Sequence, residues 1–163
     1  MGAVYLAFDN TLEHEVAVKS NLNPSESATA QFLREARLLA KLRHPNLPRV
    51  NDHFVEQDQQ FLVMDYIPGD DLGKLLEKQN RLPLETVINF ARQLGDALTY
   101  LHNQDPQVIH RDIKPANIKL MTADQVILVD FGIAKATSAA QVTSTGATGY
   151  TPGYAPPEQY GGA

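Results

Sequence analysis

The stretch Val108-Ile109-His110-Arg111-Asp112-Ile113-Lys114-Pro115-Ala116-Asn117 decides how this chain is read. It gathers an acid, a base, a carboxamide and a proline into one short segment. Apolar residues lead in, and Ile118 and Leu120 lead out, so it reads as a tight loop held between packed segments. Asp112 can accept a proton from a hydroxyl, and Lys114 can neutralise a phosphate oxygen. Asn117 offers a carbonyl oxygen to a hard cation such as Mg²⁺. Further on, Val126-Ile127-Leu128-Val129 reads as a buried strand that delivers Asp130-Phe131-Gly132, a second carboxylate at a glycine turn. An Asn and an Asp on adjacent loops form a plausible Mg²⁺ pair, because that ion needs only one or two protein oxygens beside substrate phosphates.

Composition narrows the partners. The chain has 163 residues, 43% hydrophobic and 20% charged, which is enough for one core in an ordinary globular protein. Its formal net charge of -5 argues against nucleic acid or an anionic membrane as partner. The absence of Cys excludes disulfides and thiolate metal sites and fits a reducing compartment. No apolar run approaches the roughly 18 residues of a spanning helix. Met1-Gly2-Ala3-Val4 carries no charged leader, so no signal peptide is expected. The expected location is cytoplasmic, although a longer parent chain could carry a membrane anchor.

Val4-Tyr5-Leu6-Ala7-Phe8 is rich in strand formers, Asp9-Asn10-Thr11 is a turn, and Glu15-Val16-Ala17-Val18-Lys19 alternates as the return strand of a hairpin. Standing alone, Lys19 would be a solvated edge lysine. Asn23-Pro24-Ser25-Glu26 opens a helix, with Asn23 or Ser25 as its cap. Phe32, Leu33, Ala36, Leu39 and Ala40 form its apolar stripe, and His44-Pro45 is expected to end it. Phe61 to Tyr66 is a short apolar strand broken by Pro68-Gly69. Asp70-Asp71 sits where a helix N-cap belongs, ahead of Leu72. Leu84, Val87, Ile88, Ala91, Leu94, Ala97, Leu98 and Leu101 predict a long buried helix begun at Pro83, with Thr86, Gln93 and Asp96 on its surface. Residues 134–149 are rich in Ser, Thr, Ala and Gly and read as a mobile segment.

His110-Arg111-Asp112 with Asn117, followed by Asp130-Phe131-Gly132, resembles the catalytic-loop and magnesium-loop signatures of eukaryotic-like protein kinases. Two such matches, in order and at the right spacing, are far more specific than either alone. The segment from Thr151 to Glu158, with Pro156-Pro157-Glu158 in place of Ala-Pro-Glu, resembles the end of a kinase activation segment of the bacterial Ser/Thr type. The implied fold is α+β and protein-kinase-like. A small antiparallel-sheet lobe with one helix spans 1–66, a hinge lies near 65–67, and the first, mostly helical part of a large lobe spans 67–163.

The resemblance also implies a site. Lys19, at the end of Val16-Ala17-Val18-Lys19, would bind the α- and β-phosphates of ATP and be positioned by Glu35. Ala17 would pack on adenine, Gly2 and Val4 would close a glycine-rich loop, and Met64 would be the gatekeeper. The backbone of Asp65, Tyr66 and Ile67 would bind adenine, and Asp71 would reach the ribose. Asp112 and Lys114 would act on the acceptor hydroxyl and the transferred phosphate, while Asn117 and Asp130 hold Mg²⁺. His110 would pack beneath Phe131. Lys119 stands where many kinases carry an apolar adenine-packing residue, and its stem can still pack. Thr151 would be a structural hydroxyl near Asp112 and Lys114, and Thr143 or Thr145 a site of autophosphorylation paired with Arg111.

The implied activity is ATP-dependent phosphorylation of Ser or Thr in a protein substrate. The alternatives are a nucleotide-binding pseudokinase or scaffold, and a small-molecule phosphotransferase. The resemblance covers only part of a kinase domain. The first strand, two glycines and the later large-lobe helices have no counterpart, so the chain is expected to be a fragment and poorly active alone.

Overall fold

The computed structural model describes residues 3–21, 26–130, 151, 153–155 and 157. Strands β1 (Val4–Asp9) and β2 (His14–Asn21) form the expected hairpin, with Val4 opposite Lys19 and Asp9 opposite His14. Asp9 closes the turn, its Oδ1 accepting the backbone N–H groups of Thr11 (2.8 Å) and Leu12 (3.0 Å). The cap positions Asn23 and Ser25 of helix α1 (Glu26–Leu39), like Gly2, lie outside the described residues.

Helix α1 ends at Leu39, short of the expected stop at His44-Pro45. Tight bonds close it: Lys41 N–H donates to Leu38 O and Leu42 N–H to Leu39 O. The Arg43 guanidinium then caps the free carbonyls of Ala40 (2.8 Å) and Leu42 (2.7 Å). The chain turns there because Leu42 and Leu47 are both drawn into the core.

Sequence reasoning missed the strand that follows, β3 (Val50–Glu56). It pairs with β4 (Gln59–Asp65) through the two-residue turn Gln57-Asp58, both at positive φ. Such turns usually carry Asn-Gly or Asp-Gly, so the usual signal is absent. Phe54 and Phe61 stack across the pair with centroids 4.9 Å apart. The four-stranded sheet has the order β1-β2-β4-β3, and α1 lays Phe32, Glu35, Ala36 and Leu39 inward over β3 and β4.

The second layer comprises α2 (Leu72–Gln79), α3 (Leu84–His102) and the antiparallel pair β5 (Ile118–Thr122) and β6 (Gln125–Leu128). Helix α3 buries Phe90, Ala97 and Leu101. The expected stripe is only half right: Leu84, Val87, Ile88 and Ala91 are exposed, on a face the described residues do not cover. Phe90, absent from that stripe, is the deep anchor because it faces β6 together with Leu94, Ala97 and Leu101. Among the described residues no helix is long and apolar enough to cross a membrane.

Among the connections between the layers, two run through the linker and through Asn46. In the linker, Leu120 N–H donates to Asp70 O (3.0 Å), and Asp71 pairs with Lys119. Gly69 has φ +89°, and a Cβ there would sit 3.0 Å from the Leu120 carbonyl, so a side chain is doubly disfavoured. The second connection is Asn46, 6% exposed. Its Nδ2 donates to Gln93 Oε1 and Val126 O, both at 2.8 Å, and its carbonyl accepts from Leu128 N–H (2.9 Å). Gln93, expected on the surface, is half-buried in this network. Its Oε1 also accepts from Val126 N–H (3.1 Å), and its Nε2 donates to Asp124 O (2.6 Å). Replacing Asn46 by Ala leaves the buried Val126 carbonyl without this donor and should cost about 1–3 kcal/mol of stability, read as a lower urea midpoint at unchanged m-value.

Candidate active site

Lys114 leads into a single 3-10 turn, Pro115–Asn117, which runs directly into β5. Proline at the first position suits that turn, since its missing N–H would have no partner there. The turn brings Asn117 back beneath Asp112. Asn117 Nδ2 donates to the Asp112 carbonyl (2.7 Å) and to Asp112 Oδ2 (3.0 Å). The Asn117 carbonyl accepts from Val129 N–H (2.9 Å), fastening this loop to the end of β6.

A second set of contacts meets at Asp112. Thr151 Oγ1 donates to Asp112 Oδ1 (2.8 Å) and accepts from Lys114 Nζ (2.9 Å). Lys114 Nζ also lies 3.1 Å from Asp112 Oδ2. Thr151 is therefore the structural hydroxyl that the sequence reading expected. Burial pushes the Asp112 carboxyl upward, but Thr151, Lys114 and Asn117 together more than offset it, and the group sits below the ordinary aspartate range. At neutral pH it is a carboxylate.

His110 is 2% exposed, and its Nε2 lies 3.2 Å from the Val129 carbonyl. A carbonyl can only accept, so Nε2 carries the proton. Burial pushes its pKa below the ordinary histidine value, more than the Val129 carbonyl and the Asp112 and Asp130 charges restore. His110 is thus a neutral structural histidine, as expected. Its expected partner Phe131 lies outside the described residues, as do Thr143, Ser144, Thr145, Thr148 and Glu158.

Lys19, on β2, meets Asp130 from the other layer, with Nζ 2.5 Å from Oδ1. The lysine side chain is 12% exposed and the aspartate 46%. Glu35 is buried on α1 at 4% exposure. Lys19, Asp130 and Met64 line one small cleft with Leu39, Leu42, Pro48, Val50 and Leu62. Ala17 stands opposite Met64 in the sheet register, and Val4 opposite Lys19. Asp65 accepts from Arg49 N–H and from Asn51 Nδ2 at the mouth of the linker that holds Ile67.

Asp70 and Asp71 divide their work differently from the expectation of one cap and one ribose ligand. Asp71 is itself the cap of α2, its Oδ1 accepting from Lys74 N–H (3.0 Å), and Asp70 pairs with Lys78 (2.5 Å). Asp71 keeps a second carboxylate oxygen. The Lys119 ammonium donates to the Gly69 carbonyl, so its stem crosses from β5 to the linker.

The residues present suit a hard divalent cation. Asn117 uses Nδ2 on Asp112 and so retains Oδ1 as an acceptor, and Asp130 supplies a carboxylate. Among the described residues no three His, Asp or Glu side chains cluster.

A family model of the protein kinase domain matches residues 1–162. The chain belongs to the protein kinase domain family. It is 38% identical over 167 residues to the serine/threonine-protein kinase PknA of Mycobacterium tuberculosis, covering 98% of this chain and 38% of PknA. It is 34% identical over 163 residues to PrkC of Bacillus subtilis, covering 98% of this chain and 25% of PrkC. The chain thus spans well under half the length of these relatives. Among solved structures it resembles Rad53 1-466 in complex with AMP-PNP, with TM-score 0.71 and 28% identity over 81% of this chain and 35% of that one. It also resembles the apo form of PpkA-294, with TM-score 0.70 and 26% identity over 82% of this chain and 54% of that one. This kinase domain is therefore related to Ser/Thr kinases and has the kinase-like fold.

The buried imidazole makes kinase-domain stability depend on pH. Its folded pKa lies below the ordinary 6.5, so between the two values the unfolded chain binds more protons. Stability from this group is full above about pH 6.5 and falls as pH drops toward the folded pKa. His110→Gln, which keeps a donor for Val129, should narrow the stability difference between pH 7 and pH 5 measured by urea unfolding. An unchanged difference would show that His110 titrates normally.

Proposed function

We propose that this kinase domain transfers the γ-phosphoryl group of ATP to a Ser or Thr hydroxyl of a protein substrate. The observation that carries this reading is the position of Thr151. Its hydroxyl donates to Asp112 and accepts from Lys114, the hydrogen-bonding pattern a substrate hydroxyl needs as it loses its proton and attacks a phosphoryl group. The depressed pKa keeps Asp112 anionic and ready to orient that hydroxyl. Lys114, beside it, offsets charge on the transferred group.

Asn117 and Asp130 would hold Mg²⁺, which supplies charge neutralisation at the phosphate oxygens when bound. Lys19, with Glu35 buried beside the sheet, would position the α- and β-phosphates. Val4, Ala17 and Met64 would border the base, with Gly2 over the phosphates. The linker backbone at Asp65 and Ile67 would bind adenine, and the second oxygen of Asp71 would reach the ribose. On this reading residues 1–66 and 67–163 are the two lobes, closing on nucleotide about the linker. Little covalent work falls to the protein, so positioning and electrostatics carry the rate.

The intact protein, incubated with ATP, Mg²⁺ and a mixture of proteins, should place phosphate on serine or threonine. Nucleotide binding without transfer would favour a pseudokinase, and transfer confined to small hydroxyl compounds a small-molecule phosphotransferase. Lys19→Met should lower transfer by about 10²–10³-fold, roughly 2.7–4 kcal/mol of barrier, with an unchanged circular dichroism spectrum. Wild-type activity in that variant would remove Lys19 from the site. Thr151→Ser should retain most activity, whereas Thr151→Val, which cannot bridge Asp112 and Lys114, should lose at least tenfold, about 1.4 kcal/mol. Equal rates in the two would exclude the hydroxyl from positioning Asp112.

A further inference from the structure

A charged pair lies where the linker crosses β5. Asp71 and Lys119 stand directly opposite each other in an isolated antiparallel bridge. Residues paired in this way project their side chains to the same face, with Cβ atoms about 4.5–5.5 Å apart. Both members are held in place. Asp71 Oδ1 accepts from Lys74 N–H (3.0 Å) as the cap of α2, and the half-buried Lys119 donates to the Gly69 carbonyl. Gly73 keeps this end of α2 close to the turn that carries Asn117, since a Cβ there would lie 3.0 Å from Asp71 Oδ1 and 3.6 Å from Ala116 N.

The pair retains hydrogen-bonding capacity. An ammonium has three N–H groups, and a carboxylate has two oxygens. Among the described residues Lys119 uses one N–H group on Gly69 and Asp71 uses Oδ1 on Lys74, so donors and the Oδ2 acceptor remain side by side. Asp70, the neighbour that could otherwise draw the ammonium, is paired with Lys78 at 2.5 Å. A donor beside an acceptor is the complement of a vicinal diol. One hydroxyl donates to the carboxylate while the next accepts from the ammonium.

We propose that Lys119 is a ribose-binding residue of the nucleotide site, donating to one of the 2′ and 3′ hydroxyls while Asp71 Oδ2 accepts from the other. The inference rests on the reading that Asp71 reaches the ribose of ATP, and it adds the partner that makes this contact selective for a ribonucleotide. A site that bonds a substrate hydroxyl rejects the analogue lacking it, because its own polar groups are then left without partners. Gly69 already fixes the tip of Lys119, so little ordering entropy is lost when it takes the sugar.

The test is calorimetric titration of the intact protein, with Mg²⁺, against ATP and against 2′,3′-dideoxy-ATP. The wild type should prefer ATP. Lys119→Met keeps the unbranched stem and removes the donors, and it should reduce that preference, read as the ratio of the two dissociation constants, about tenfold. Asp71→Asn keeps an oxygen for the cap of α2 and removes the second acceptor, and it should reduce the ratio by a similar factor. Lost packing, a loosened linker or a missing charge near the phosphates would weaken both nucleotides alike and leave the ratio unchanged. An unchanged ratio in Lys119→Met beside a reduced one in Asp71→Asn would overturn the proposal and leave Asp71 at the ribose. An unchanged ratio in both variants, or no binding of ATP by the wild type, would overturn the proposal together with the reading on which it rests.

Discussion

The placement of the two acids in the candidate site depends on the side chain and carbonyl of Asn117. Its carboxamide hydrogens reach the Asp112 carbonyl and carboxylate, which fixes where the acid stands. Its backbone carbonyl takes Val129 N–H, which fixes where β6 ends and therefore where Asp130 begins. One residue, 5% exposed, thus sets two carboxylates relative to each other. An aspartate there would set two like charges against one another at Asp112, and an alanine would leave buried polar groups unpaired.

That arrangement belongs to one layer only, and Lys19 belongs to the other. Its meeting with Asp130 is meaningful only if the layers are held in register. Asn46 performs that task, since it grows out of the sheet side and bonds Val126, Leu128 and Gln93. The strand it grips, β6, is the strand that carries Val129 and Asp130. The same short segment therefore bears the core residues Val126 and Leu128, the interlayer bond and the acid. Burial of the flanking aliphatics supports the polar contacts, because bonds shielded from water are stronger than exposed ones.

The sequence made the chemistry more legible than the architecture. Asp112, Lys114, Asn117 and Asp130 stood out because charged and amide groups cluster in short segments bounded by aliphatics, whereas Lys19, a solvated edge lysine on the evidence of its strand alone, was marked only by its match to the kinase pattern. Strand β3 did not stand out, since Val50-Asn51-Asp52-His53 is polar and its turn, Gln57-Asp58, lacks glycine. Gln93 reads as a surface residue on any helical wheel, and only its three partners from distant segments reveal otherwise. The early end of α1 was hidden for a similar reason: Leu42 and Leu47 are drawn inward by tertiary packing, which no local proline signal reports. The two aspartates at 70 and 71 were each given one role, but cap geometry is decided by backbone φ/ψ that the sequence leaves open.

The backbone itself carries the last constraint. Arg111, immediately before the acid, has φ +62°, and Asp130 has φ +61°. A non-glycine residue in that region costs about 1–2 kcal/mol, and neither position has been relieved by glycine. Such a conformation persists only where the surroundings over-determine it. Here they do on both sides: His110 and Asn117 bond the Val129 peptide from the loop, while Ile118 and Leu128 bury the flanking strands as direct partners in the ladder. Replacing either by glycine would ease the local conformation, yet it would delete the side chain that the loop is shaped to present. The left-handed backbone is tolerated because the buried imidazole of His110 and the buried Asn117 on either side hold the Val129 peptide in place.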